Sequence, residues 1–135
     1  MTDAATRFPV RAGEDPWTPE EVRGIADELA SEIDRLTSEL SIADQELTEL
    51  LRNSGDGAGD DQADSGSSAL EREHELTLVN NTRDMLDQTT RALARIESGT
   101  FGRCDSCGEA IGKARVQAFP RATLCVSCKQ REERR

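Results

Sequence analysis

From Val22 to Leu50 the apolar residues Val22, Ala26, Leu29, Ile33, Leu36, Leu40, Ala43, Leu47 and Leu50 follow one another in alternating steps of four and three. This is the 3.5-residue period of a coiled-coil seam, held for four heptads, whereas a half-buried strand would alternate every second residue. The flanking positions are mostly Glu, Asp, Ser and Thr. The stripe is therefore one-sided and needs a partner. Its helix has a strong start signal, with Thr18 as cap, Pro19 at the first helical position and Glu21 completing a capping box.

The partner is expected beyond an acidic, glycine-rich run, "SGDGAGDDQADSG" at residues 54–66. From 69 to about 98 the chain has no Gly or Pro, and its apolar set is Leu78, Val79, Met85, Leu86, Ala92, Leu93 and Ile96. Val79, Leu86 and Leu93 repeat by seven, with Thr82, Thr89 and Ile96 at the alternate seam positions. Two helices of similar length joined by a hydrophilic turn imply an antiparallel hairpin over residues 18–98, with a tip loop at about 53–68. At 1.5 Å per residue such an arm is about 45–50 Å long. The stripes themselves serve packing, so function must sit at the ends.

Hydrophobic residues make up 35% of the 135-residue chain, aromatics 3%, and Tyr is absent. That is too little apolar bulk for a large globular core, while 33% charged residues suit long exposed helices. Residues 1–17 contain two prolines and no period, and read as a flexible leader with Phe8 and Trp17 as candidate anchors. No stretch approaches the length of a membrane span and no signal-peptide core is present, so a cytoplasmic protein without membrane contact is expected. The net charge of -10 is uneven: residues 101–135 hold eight Lys/Arg against four Asp/Glu, or +4, leaving nine against twenty-three, or -14, elsewhere. An acidic body repels nucleic acid phosphates.

All four cysteines lie in the basic end, as "CDSCG" from Cys104 to Cys107 and "CVSC" from Cys125 to Cys128, with seventeen residues between the pairs. Paired CxxC motifs at this spacing point to one tetrahedral Zn²⁺ with four thiolate ligands. Gly108 lets the backbone fold back under the metal. Such a shell leaves no open position for water or substrate, so the ion is structural. Two disulfides are the rival in a secreted protein, and a thioredoxin-like pair would need a βαβ setting that is missing. Zinc with four thiolates is formally 2-, a charge that Arg103, Lys113, Arg115, Arg121 and Lys129 are available to offset. Residues 111–124 read as a short connector with a turn at Phe119 and Pro120, and the last residues as a C-terminal helix. His74, the single histidine, reads as an exposed helix residue. The fold class is thus mostly all-α: a long antiparallel coiled-coil hairpin, then a small C4 zinc-finger module with a C-terminal helix over 99–135.

"GTFGRCDSCGEAIGKARVQAFPRATLCVSCKQ", residues 99–130, resembles the zinc-finger signature of the TraR/DksA family. The long hairpin with its acidic tip is similar to the longer DksA-like members, and the resemblance covers roughly residues 18–135. It implies a monomeric bacterial transcription regulator that binds RNA polymerase directly. The hairpin would enter the secondary channel and alter initiation without contact to a DNA sequence, while the finger and C-terminal helix brace against the polymerase rim. The family's tip motif, Asp-x-x-Asp-x-Ala, falls on Asp61, Asp64 and Gly66, with glycine in place of the alanine. Lys129 matches a basic residue that some members use to help bind ppGpp, and Arg121 is a further candidate contact to polymerase or nucleotide. Phe119 stands where an arginine is expected before the proline, which argues against a response to ppGpp.

Two other classes fit parts of the sequence. A zinc-finger DNA-binding protein would set basic side chains on an exposed helix, against the acidity of the whole. A thiol-based redox or zinc stress sensor would lose its metal on mild oxidation. Enzymatic turnover has no support, for no nucleophile–base pair, phosphate loop or open metal site is present.

Overall fold

The computed structural model describes residues 8–56 and 62–134. Among them are four helices, α1 (Pro19–Asp56), α2 (Gln62–Ser98), α3 (Lys113–Ala118) and α4 (Val126–Glu133), and one isolated antiparallel bridge between Arg103 and Ala110. The chain divides into two compact units, Ile33–Asp87 on one hand and Met1–Glu32 with Gln88–Arg135 on the other.

The unit Ile33–Asp87 is a two-helix seam. Leu36 and Val79 are fully enclosed, and Ile33, Leu40, Ala43, Leu47, Leu50, Thr82 and Leu86 are all partly covered. These are the heptad positions expected from the sequence on both helices. The helices run antiparallel: Arg83 lies 3.4 Å from Asp44, while Glu49 and Leu50 share a cleft with Glu71 and His74. Both members of the Arg83 ion pair are about half exposed, so apolar burial and not this pair holds the seam. His74 is exposed. Leu78, by contrast, lies off the seam and is open to solvent, as are Ile42, Leu51, Leu70 and Leu76.

Within the tip loop expected at 53–68, the described residues 53–56 and 62–68 are helical. α1 continues to Asp56 and α2 begins at Gln62, so Gly55 and Gly66 are helical. A glycine costs a helix roughly 1 kcal/mol, yet adding a residue to a long existing helix needs no new nucleus. Glycine-rich composition alone therefore does not mark where the two helices end.

The second unit has a larger core. Phe8, Trp17, Val22, Ile25, Leu29, Ala92, Phe101, Ile111 and Val116 form one cluster with three of the four cysteines. Residues 8–17 are consequently not a flexible leader. Phe8 and Trp17 are buried and meet Phe101 edge-on, with ring centroids 5.4 and 5.7 Å away. Aromatic side chains of this size repay the ordering of a short segment through the apolar area they remove from water. The same covering explains Ile25, which is buried although it stands off the heptad stripe. The capping box forms as expected: the Thr18 amide donates to Glu21 Oε1 at 2.9 Å, and the Glu21 amide donates to Thr18 Oγ1 at 3.2 Å.

Candidate metal centre and its surroundings

Each cysteine pair is placed by its own local device. After Cys104 the chain turns back at Gly108, whose φ of +77° is the left-handed conformation that favours glycine. The Gly108 amide donates to Cys104 O at 2.9 Å and the Cys104 amide to Glu109 O at 2.8 Å. The second pair begins a helix, with Cys125 as the N-cap of α4 and Cys128 in its first turn. The two halves are tied by the Asp105 amide, which donates to Thr123 O at 2.8 Å.

The result brings all four cysteines together. Their sulfurs lie within 4.8 Å of one another, and Cys107 Sγ is 3.9 Å from Cys125 Sγ. A zinc ion with sulfurs at about 2.3 Å in a tetrahedron needs S–S edges of about 3.8 Å, so the cluster fits that ion. All four thiols are free; Cys104, Cys125 and Cys128 are buried and Cys107 is exposed.

The thiols also compete for charge. Burial pushes Cys104 up, but the amides of Cys107, Cys125 and Ser106 outweigh it and hold that thiol at about 6. Cys107 is raised: the Glu109 amide pulls it down, while burial and the Cys104 and Cys125 sulfurs push it up. Cys128 receives a lowering hydrogen bond from Ser106, yet Cys125, burial, Cys104 and Cys107 together lift it to about 11. A divalent ion removes that conflict and makes four thiolates compatible. The centre thus holds one structural zinc ion.

The surrounding charges are distributed by fold and not by proximity in sequence. Lys113 is committed to Glu21 at 2.8 Å, and Arg103 reaches Gly108 O at 3.4 Å. Arg95 on α2 pairs with Asp105 inside the first cysteine turn at 2.9 Å. Arg115, Arg121 and Lys129 line one groove of about 450 Å³, together with Arg91 and Arg95 and the acids Asp105 and Glu132. Arg121 is partly covered there and its Nη1 has no protein partner. Arg115 donates to Leu124 O at 3.2 Å and lies 6.0 Å from the Phe119 ring, and Phe119 itself is 62% exposed.

Of the tip residues, Asp61 lies outside the described residues. Asp64 falls in the first turn of α2. Gly66 is exposed, with no atom within 4 Å of where a Cβ would stand. Sequence reasoning missed the work of Glu14, whose carboxylate accepts from the amides of Lys113 and Ala114 at 2.9 and 3.0 Å. No local pattern marks that residue, because its partners are about a hundred positions away.

Comparisons with known proteins agree with this centre. Residues 99–134 match the prokaryotic dksA/traR C4-type zinc finger. The chain is similar to the RNA polymerase-binding transcription factor DksA of Caulobacter vibrioides, at 41% identity over 75 residues, covering 56% of this chain and 53% of that protein. The protein of the same name from Escherichia coli K12 is 39% identical over 64 residues, covering 46% of this chain and 42% of its own length. The chain thus spans about half the length of the curated relatives it matches. The structure of transcription factor DksA2 from Pseudomonas aeruginosa superposes with a TM-score of 0.69 at 30% identity, covering 86% of this chain and 85% of that one. With its finger and its fold both shared, the chain belongs to the DksA/TraR family of C4 zinc-finger proteins.

Proposed function

We propose that this chain regulates transcription by binding RNA polymerase directly, and that it does no chemistry of its own. The observation that carries this reading is the likeness to the Pseudomonas transcription factor, which extends over 86% of the chain and so takes in helices as well as finger. The name borne by the Caulobacter and Escherichia relatives supplies the partner. The protein then works in the cytoplasm, as a monomer on polymerase, without reading a DNA sequence.

In this reading the helical hairpin enters the secondary channel, and Asp61 and Asp64 act near the active centre through charge. They would pair with polymerase Lys/Arg or perturb the region around the catalytic Mg²⁺. Lys129 and Arg121 belong to a groove with three further arginines, which suits an acidic surface of polymerase. We assign the groove to that surface and not to ppGpp, because the exposed Phe119 stands where the family resemblance calls for an arginine.

The test is retention of the chain on purified core RNA polymerase, with photo-crosslinking from position 64. A stoichiometric complex crosslinked at the polymerase active centre is expected; failure to bind core polymerase overturns the reading. The double substitution Asp61→Asn with Asp64→Asn should keep polymerase binding and abolish the effect on initiation in a purified transcription assay. Unchanged transcription with that variant would remove the tip from the mechanism.

A further inference from the structure

The ten residues 8–17 that precede α1 hold the zinc module at three places. Glu14 accepts from the amides of Arg11 at 2.7 Å and Lys113 at 2.9 Å through Oε1, and from Ala114 at 3.0 Å through Oε2. It thereby caps α3, a six-residue helix whose own N-cap, Gly112, has no side chain to offer. A helix that short does not persist alone. Lys113 is gripped from the other side: its Nζ donates to Pro16 O at 3.2 Å, pairs with Glu21 at 2.8 Å and sits 5.5 Å from the centre of the Trp17 ring.

The third place is the loop that carries the first cysteine. A Cβ on Gly102 would stand 3.6 Å from Pro9, and one on Gly112 only 3.3 Å from Arg11. The strap therefore lies close on the backbone at both ends of the first cysteine turn. Phe101, against which Phe8 and Trp17 pack, immediately precedes that loop.

Beyond the shared apolar core, the strap's hydrogen bonds, ring contacts and close backbone approaches to the rest of the chain thus fall on residues 101–114, which wrap the first pair of cysteines and lead into the connector between pairs. The order of such a module derives largely from its metal, since four thiols at this range have no reason to stay together without it. We propose that residues 8–17 are a latch on the zinc module, docked while the ion is bound and released when it leaves. Coupling of this kind is reciprocal, so the docked latch in turn slows zinc loss. The latch acts on the metal centre within the chain and needs no polymerase.

Trp17 is the only tryptophan and reports the latch directly. Zinc is stripped from the full chain with a chelator under reducing conditions, and its loss is checked by metal analysis. Trp17 emission is expected to shift to the red and become severalfold more open to acrylamide, while far-UV ellipticity from α1 and α2 is largely kept. In the other direction, Glu14→Ala should transfer zinc to a chromophoric chelator about tenfold faster, the weight of a lost cap, with Glu14→Gln in between. Trp17 still buried after verified zinc loss overturns the proposal, as does a wild-type transfer rate for Glu14→Ala. Loss of ellipticity in step with Trp17 exposure would overturn it too, for the release would then be global unfolding.

Discussion

Glu21 joins two elements that are far apart in sequence. It closes the capping box of α1 with Thr18, and it receives Lys113 Nζ at 2.8 Å and Gln117 Nε2 at 3.1 Å from α3. The hydrogen bond from Lys113, followed by the Thr18 amide, holds its carboxyl down at about 2. A carboxyl group depressed in the folded state stabilises above its unfolded value, and that contribution is lost as pH falls toward the folded one. Glu21→Gln should therefore lower the thermal midpoint at neutral pH. The gap to the wild type should then close between about pH 4.3, the usual Glu value, and the folded value. Thermal denaturation of both proteins at each pH tests this, because loss of zinc in acid is common to the two. A gap that persists through that window would contradict it.

The long helices show how far a period can be trusted. All nine stripe positions of α1 are at least partly covered, and Thr89, a polar residue at a seam position of α2, is fully buried. Where the period stops, at the glycine-rich run, the helices continue beyond what composition suggests. Gly66 marks the opportunity this leaves. It is helical and exposed, with open space around it. Gly66→Ala should raise stability by up to about 1 kcal/mol, the propensity difference between the two residues in a helix, read as a higher denaturation midpoint. It also restores the residue that the family's tip motif has at this position. A midpoint that falls would show that the tip needs the freedom of glycine.

For the molecule as a whole, charge is set out in blocks. Nearly all the acid lies before residue 101, where the balance is -14, and the excess of base, +4, lies in 101–135. Part of that base is already paired within the fold, as Lys113 is with Glu21, while Arg95 from the acidic block pairs with Asp105. Lys and Arg clustered along one helix, the electrostatic footprint of a DNA reader, are not assembled on α4, where Lys129 and Arg131 share eight residues with two glutamates. Duplex DNA should thus give no salt-sensitive shifted complex with the zinc-loaded chain at moderate ionic strength. A complex that weakens steeply with added salt would reverse that conclusion.

Some of this protein follows from the chain read by itself, because the causes are local. Heptad spacing determines a paired helix, Thr18 with Glu21 determines where it starts, and two CxxC pairs determine a tetrahedral zinc site down to its four ligands. Gly108 belongs with these, since its turn is built within five residues. What only the tertiary structure decided comes from contacts between remote segments. Residues 8–17 look formless in sequence, yet Glu14 bonds to Ala114 across 100 positions, and Phe8 and Trp17 become core only where Phe101 is brought to meet them. Ile25 is buried off its stripe for the same reason. A period records which face of a helix is covered by one neighbour, and it carries no trace of a second neighbour that arrives from a distant part of the chain.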